Sequence, residues 1–251
     1  MNILNIIKKL FFYALIPFGI LINKILKPKT LIILGMHRSG TSCITRILNQ
    51  NGLYLGSEII KPDKGNPQGY WENLSVYSIN ERILKLSGGS WDNPPSTLLE
   101  NFYIKIEILR FLYIRNWKRS DLIIKDPRMV ITWDIWKKYL RNYYILAIFR
   151  NPNSVANSLR RRDGMNNEIG LSLWETYNKK IIKISNNESI DFLNFDDENS
   201  FENKIKKIIN KLELQFNPVS LNFYNSSLKS SNIKGQVKNN NLYNKFLNIC
   251  S

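Results

Sequence analysis

The stretch ILGMHRSGTS, residues 33–42, ends an apolar run in a loop whose residue types suit an anion. Gly35 and Gly40 are spaced like the glycines of a nucleotide-hydrolysing G-x-x-x-x-G-K-[ST] loop, but Thr41 stands where that loop needs lysine. The nearest cation is Arg38, in mid-loop. Gly35 and Gly40 let the backbone curl so that successive N–H groups point inward. A helix starting near Thr41 adds the positive end of its dipole, and Thr41 and Ser42 add hydroxyl donors. A phosphate or sulfate site follows from these residues; a tight glycine turn without a ligand is the alternative. His37, the only histidine of the chain, lies inside the loop, where it would contact a bound anion sooner than deprotonate an acceptor.

Such a loop must be carried by a strand and followed by a helix. KTLIILG reads as a buried strand between Lys29 and Gly35, and TSCITRILNQNG places Cys43, Ile44, Ile47 and Leu48 at helical spacing with Gly52 as the stop. DLIIKDP and YYILAIFRNP read as two further buried strands, closed by Pro127 and Pro152, and SIDFLNF as a fourth apolar run. Helical patterns fill LSVYSINERILKLSG, the stretch from about 98 to 117, and ENSFENKIKKIINKLEL. Strands alternating with helices predict an α/β fold of three layers, a central parallel sheet with helices on both faces. Ligands of such sheets bind beyond the carboxyl ends of the strands, where residues 35–42 fall. From about Asn217 the chain is rich in Asn, Ser and Lys, and irregular structure is expected.

At 251 residues with 43% apolar content, the chain is long enough for one well-buried core. Its formal charge of +16 points to an anionic partner, although a general bias towards Lys, Asn and Ile would give the same excess. No aromatic-plus-basic stripe for stacking bases stands out, so nucleic acid is not expected. Two cysteines, Cys43 and Cys250, make no disulfide framework and fit a reduced, cytoplasmic compartment. Residues 1–29 form a separate hydrophobic and basic segment. From Leu10 to Ile22 only Pro17 and Gly19 interrupt the apolar and aromatic run, which is shorter than the roughly 18–20 residues a spanning helix needs. No small-residue cleavage site follows it. Lys24, Lys27 and Lys29 suit attachment to the anionic cytoplasmic face of a membrane; an ordinary packed helix is the other reading.

GMHRSGTS resembles the 5′-phosphosulfate loop of the sulfotransferases that use 3′-phosphoadenosine 5′-phosphosulfate (PAPS), with Arg38 at the place of the family's loop lysine. IFRNPNSVANSLRRRDG resembles the family's 3′-phosphate segment, an arginine ending a strand and a serine eight residues on, the spacing of Arg150 and Ser158. In physical terms Arg150 leaves a strand end as a fork for phosphate, and Pro152 opens the helix that carries Ser158. NPQGYWEN, LIIKDPR, and SLWETYNKKI with IDFLNFDD are similar to a bacterial branch of the family. The resemblance spans roughly residues 30–215, between the N-terminal segment 1–29 and the segment 216–251. It implies a P-loop-like fold and in-line sulfuryl transfer from PAPS, without a metal, to a hydroxyl. A membrane-facing N-terminus would favour a glycan or lipid-linked acceptor. A nucleotide kinase or NTPase on the same fold is the rival reading, and the missing loop lysine argues against it.

By that resemblance the cofactor is held by Gly35, His37, Arg38, Ser39, Gly40, Thr41, Ser42, Arg150 and Ser158. Arg38 serves the bridging oxygen electrostatically, since arginine does not readily release its proton. Lys125 adds a cation at a strand end. The histidine that serves many members as base is replaced by Pro127, and other branches use a glutamate. Glu72, between aromatic neighbours and the next helix, is the first candidate base, its alternative being a carboxylate at a helix start. Asp126 is the second, its alternative being a turn-forming Asp-Pro. Phe195 stands where a tyrosine is common. Arg128 could face the acceptor or pair with a carboxylate, and at most one or two of Arg160, Arg161 and Arg162 can reach the site. Acceptor contacts are expected from loops within residues 55–98.

Overall fold

The four apolar runs form one parallel sheet of β1 (Thr30–Leu34), β2 (Leu122–Lys125), β3 (Tyr143–Phe149) and β4 (Ile190–Asn194), in the order β2-β1-β3-β4. A computed structural model describes residues 3–63, 65–115, 121–224 and 240–250, with backbone alone for 3–12 and 115. In register, Ile32 lies opposite Ile124 on one side and Ile145 on the other. Successive strand side chains point to opposite faces. Leu31, Ile33, Ile123, Leu146 and Ile148 therefore meet one helical layer, while Ile32, Leu34, Ile124, Ala147 and Phe149 meet the other. Both faces are covered, which is why the strands read as unbroken apolar runs.

α1 (Ile3–Leu26) precedes the sheet, and α2 (Thr41–Gln50) follows β1. Then come α3 (Leu74–Leu86), α4 (Phe102–Arg110) with a π-helical turn at Phe111–Arg115, α5 (Met129–Trp136), α6 (Pro152–Asp163) and α7 (Asn167–Ser185). α8 (Glu198–Lys211) follows β4 and shares its face of the sheet with α2. The asparagine-rich composition is used locally. Asn73, Asn101, Asn151 and Asn166 each cap a helix by accepting a first-turn N–H, a role that contributes about 1 kcal/mol.

One side of α1 packs on the rest of the chain. α1 lies against α4 and the π-helical turn so closely that a Cβ on Gly19 would come 2.2 Å from the Tyr113 carbonyl oxygen. No described helix is long and apolar enough to cross a membrane. In its described parts the segment after Asn217 departs from the expectation of irregular chain, and residues 225–239 lie outside the described residues. It holds a 3-10 turn at Pro218–Phe223 and α9 (Asn241–Cys250), whose Tyr243 and Phe246 enter the core beside Phe149. Leu242, Tyr243, Phe246 and Leu247 have helical spacing, and burying them outweighs the polar composition around them.

From β1 the chain crosses to β2 on one side, then returns past β1 to β3 on the other. The carboxyl ends of β1 and β3 thus border the crevice where ligands of open α/β sheets bind.

Candidate active site

Two glycines shape the loop between β1 and α2. A Cβ on Gly35 would meet Thr41 Cγ2 at 2.6 Å and the Ile148 carbonyl oxygen at 2.7 Å, so the loop is pressed against β3. Gly40 has φ 89° and sits under the Phe195 ring, which a Cβ would meet at 2.2 Å. Between them Arg38 holds φ 67°, an uncommon conformation for a residue with a side chain. α2 begins after Gly40 with no side-chain cap, so no side chain competes for its first-turn amides. Ser39 Oγ and His37 Nε2 are buried without a hydrogen-bond partner among the described residues.

The two strand ends are joined through arginines. Arg38 Nε donates to Ser158 Oγ on α6 at 2.8 Å, and Arg150 Nη1 donates to the Arg38 carbonyl oxygen at 3.3 Å. Asp196 fixes Arg150 by accepting from its Nε at 3.1 Å, while its other oxygen accepts from Asn151 N at 2.7 Å. Trp174 Nε1 donates to the Arg150 carbonyl oxygen at 3.0 Å, and Pro152 sits in the first turn of α6 as the sequence suggests. Arg150 is buried, and its Nη2 has no partner among the described residues. Burial, then Arg162 and Arg150, lower the pKa of the Arg38 guanidinium. A buried crowd of cations with an orphaned guanidinium nitrogen and serine hydroxyl fits a polyanionic ligand.

Beside this cradle lies a buried ion pair. Lys125 Nζ donates to Glu72 Oε1 at 2.6 Å, to the Tyr70 carbonyl oxygen at 2.8 Å and to Ser42 Oγ at 3.1 Å. These use all three donors of the ammonium group and tie the start of α2 to Glu72. Asn73, not Glu72, caps α3. Burial pushes the Glu72 carboxyl above the ordinary range, Lys125 opposes that shift, and Asp126 adds to it. Trp71, before it, has φ 55° and holds the loop in a strained turn.

The other candidate carboxylate points elsewhere. Asp126 is fully buried and does not line the cleft; its Oδ1 accepts from Arg128 N at 2.7 Å and Arg128 Nη1 at 3.3 Å. Arg128 also pairs with Glu81 and lies over the Tyr77 ring, so of its two readings the structure has the carboxylate pair. His37 packs on Trp91 with ring centroids 4.4 Å apart. Burial, followed by the charges of Arg128, Arg162, Lys125 and Arg38, lowers its pKa well below the usual value and favours the neutral imidazole.

The cleft has a volume of about 310 Å³, and its wall includes Arg38, Thr41, Ser42, Tyr70, Glu72, Lys125 and Arg150. Gly35, Ser39 and Ser158 stand behind that wall. Several wall residues are absent from the sequence expectations. Arg46 lies with its guanidinium 3.5 Å from the Phe223 ring centroid and 5.4 Å from that of Trp71. Its signal was available, since it follows Ser42 by four residues and so shares its helix face. Phe223 and the clamp Asp196 had none. Of the three adjacent arginines, Arg162 reaches the cleft, held by Asp163 and lying 5.6 Å from the Trp91 ring centroid, while Arg160 and Arg161 are exposed.

Neither a protein-family model nor a curated protein matches this chain. Among solved structures it is similar to the sulfotransferase domain of the olefin synthase of Synechococcus PCC 7002, with 17% identity and a TM-score of 0.54 over 78% of this chain and 77% of that one. A second similarity is to sulfotransferase STF1 of Mycobacterium tuberculosis, with 10% identity and a TM-score of 0.44 over 80% and 71% of the two chains. The first likeness shows that the chain has the fold of a sulfotransferase domain.

Proposed function

We propose that the protein is a sulfotransferase that takes its sulfuryl group from PAPS and delivers it to a hydroxyl of a glycan or lipid-linked sugar. The observation that carries this reading is the Arg150 guanidinium, clamped by Asp196 and turned onto the loop after β1, with a buried nitrogen that has no partner among the described residues. The end of β1 offers the amides that open α2 to a phosphosulfate, and the end of β3 with α6 offers Arg150 and Ser158 to a 3′-phosphate. Arg46, Trp71 and Phe223 line the same cleft and supply planar groups of the kind that stack on an adenine base.

PAPS, when bound, supplies the sulfuryl group and the leaving nucleotide. The chain contributes position and charge. Glu72 receives the proton of the acceptor hydroxyl, since Lys125 holds its Oε1 and burial raises its basicity. Lys125, bonded to both Ser42 and Glu72, balances negative charge between loop and base. Arg38 acts electrostatically from mid-loop.

Incubation with PAPS carrying radiolabelled sulfate and extracted glycans and lipids tests this directly. Label should enter an acceptor fraction with wild-type protein and without magnesium. Failure of that transfer, together with phosphoryl transfer from ATP and magnesium, would replace this reading by the kinase one.

A further inference from the structure

α1 is docked by one side and apolar on the other. Ile16 is buried and Gly19 presses on Tyr113, whereas Phe18, Leu21, Ile25 and Leu26 are 58%, 54%, 71% and 62% exposed. Residues 18, 21 and 25 follow helical spacing and form one stripe, which is more than the scattered apolar exposure of ordinary surfaces. Lys24 and Lys27 are exposed beside it, and no acidic residue occurs before Glu58.

We propose that this face of α1 binds an anionic membrane surface, with the helix lying in the interface rather than crossing it. Phe18, Leu21 and Ile25 would enter the acyl boundary while Lys24 and Lys27 meet headgroup phosphates. A second copy of the chain fits less well. A two-fold contact through the same face would bring uncompensated lysines together, whereas anionic headgroups supply the missing countercharge. The end of α1 leads through residues 27–29 into the amino end of β1, and the cleft lies at the carboxyl ends of the strands. Lipid binding there leaves the cleft in water.

The test is sedimentation of the full-length protein with vesicles of phosphatidylcholine alone or mixed with phosphatidylglycerol. Wild type should pellet with the anionic mixture, less so as salt rises, and stay in the supernatant with phosphatidylcholine alone. Leu21→Glu/Ile25→Glu should lower partitioning at least about tenfold, and Lys24→Glu at least about fivefold. Both variants replace exposed side chains, so melting temperature and affinity for 3′,5′-adenosine bisphosphate should not change. Wild type remaining in the supernatant at every composition, or the double variant binding as well as wild type, would overturn the proposal. So would a wild-type dimer that the double variant dissociates while neither protein binds vesicles.

Discussion

Arg38 Nε donates to Ser158 Oγ at 2.8 Å, across 120 residues of chain. A serine hydroxyl has one proton and two lone pairs, so by accepting from Arg38 it keeps its own O–H for a further acceptor. Together with Arg150 Nη1 on the Arg38 carbonyl, this contact makes the loop after β1 and the start of α6 one unit. Both strand ends are then ordered before any ligand arrives, which lowers the entropic cost of holding one.

Glu72→Gln keeps the shape of the base and removes its proton affinity. Turnover should fall by about 10²–10⁴ with nucleotide affinity nearly intact. In wild type the rate should fall with acidification as Glu72 takes up a proton. Because burial raises its pKa, that limb should lie above the usual carboxylate value of about 4.3. Steady-state rates across pH check both points. An unchanged turnover, or the same acid limb in Glu72→Gln, moves the base elsewhere.

His37 makes stability depend on pH. Its pKa is lowered by burial in the folded chain and near 6.5 when unfolded, so below about pH 6.5 the unfolded state binds the extra proton. Stability is full above that value and falls as pH drops towards the folded pKa, with a slope of up to about 1.4 kcal/mol per pH unit. Denaturant unfolding between neutral and mildly acid pH should give a shallower slope for His37→Gln. Equal slopes would show that the imidazole titrates alike in both states.

Gly40 carries two constraints at once, its left-handed backbone and the Phe195 ring above it. Gly40→Ala should destabilise by more than the roughly 1–2 kcal/mol of the backbone effect alone. Adding Phe195→Ala should recover the steric part and leave the backbone part. A double-mutant cycle by thermal unfolding separates them, and strict additivity would remove the ring contact from the account.

What the sequence made legible was local. The spacing of Gly35, Arg38 and Gly40, of Arg150 and Ser158, and the short apolar strands all lie within single segments and follow simple periods. The Asp196 clamp on Arg150 spans 46 residues, and the stacking of Arg46 on Phe223 depends on how the C-terminal chain returns over α2. Neither has a period to read. Asp126 shows a different gap: its residue type suits a base, but the turn after β2 aims its carboxylate at Arg128. The direction of a turn side chain is set by packing, and composition does not encode it. α9 went unread because Asn and Lys surround its four-residue apolar spacing.

The central claim is that opposite ends of one nucleotide are held by the ends of β1 and β3. An affinity cycle tests it: 3′,5′-adenosine bisphosphate and 5′-AMP, each against wild type and Arg150→Ala, by calorimetry without magnesium. Removing the 3′-phosphate should cost wild type about 1.5–3 kcal/mol, roughly tenfold to a hundredfold in affinity. Arg150→Ala should bind the two nucleotides almost equally. If wild type and variant lose the same affinity when the 3′-phosphate is removed, Arg150 does not hold it, and the two-ended cradle is wrong.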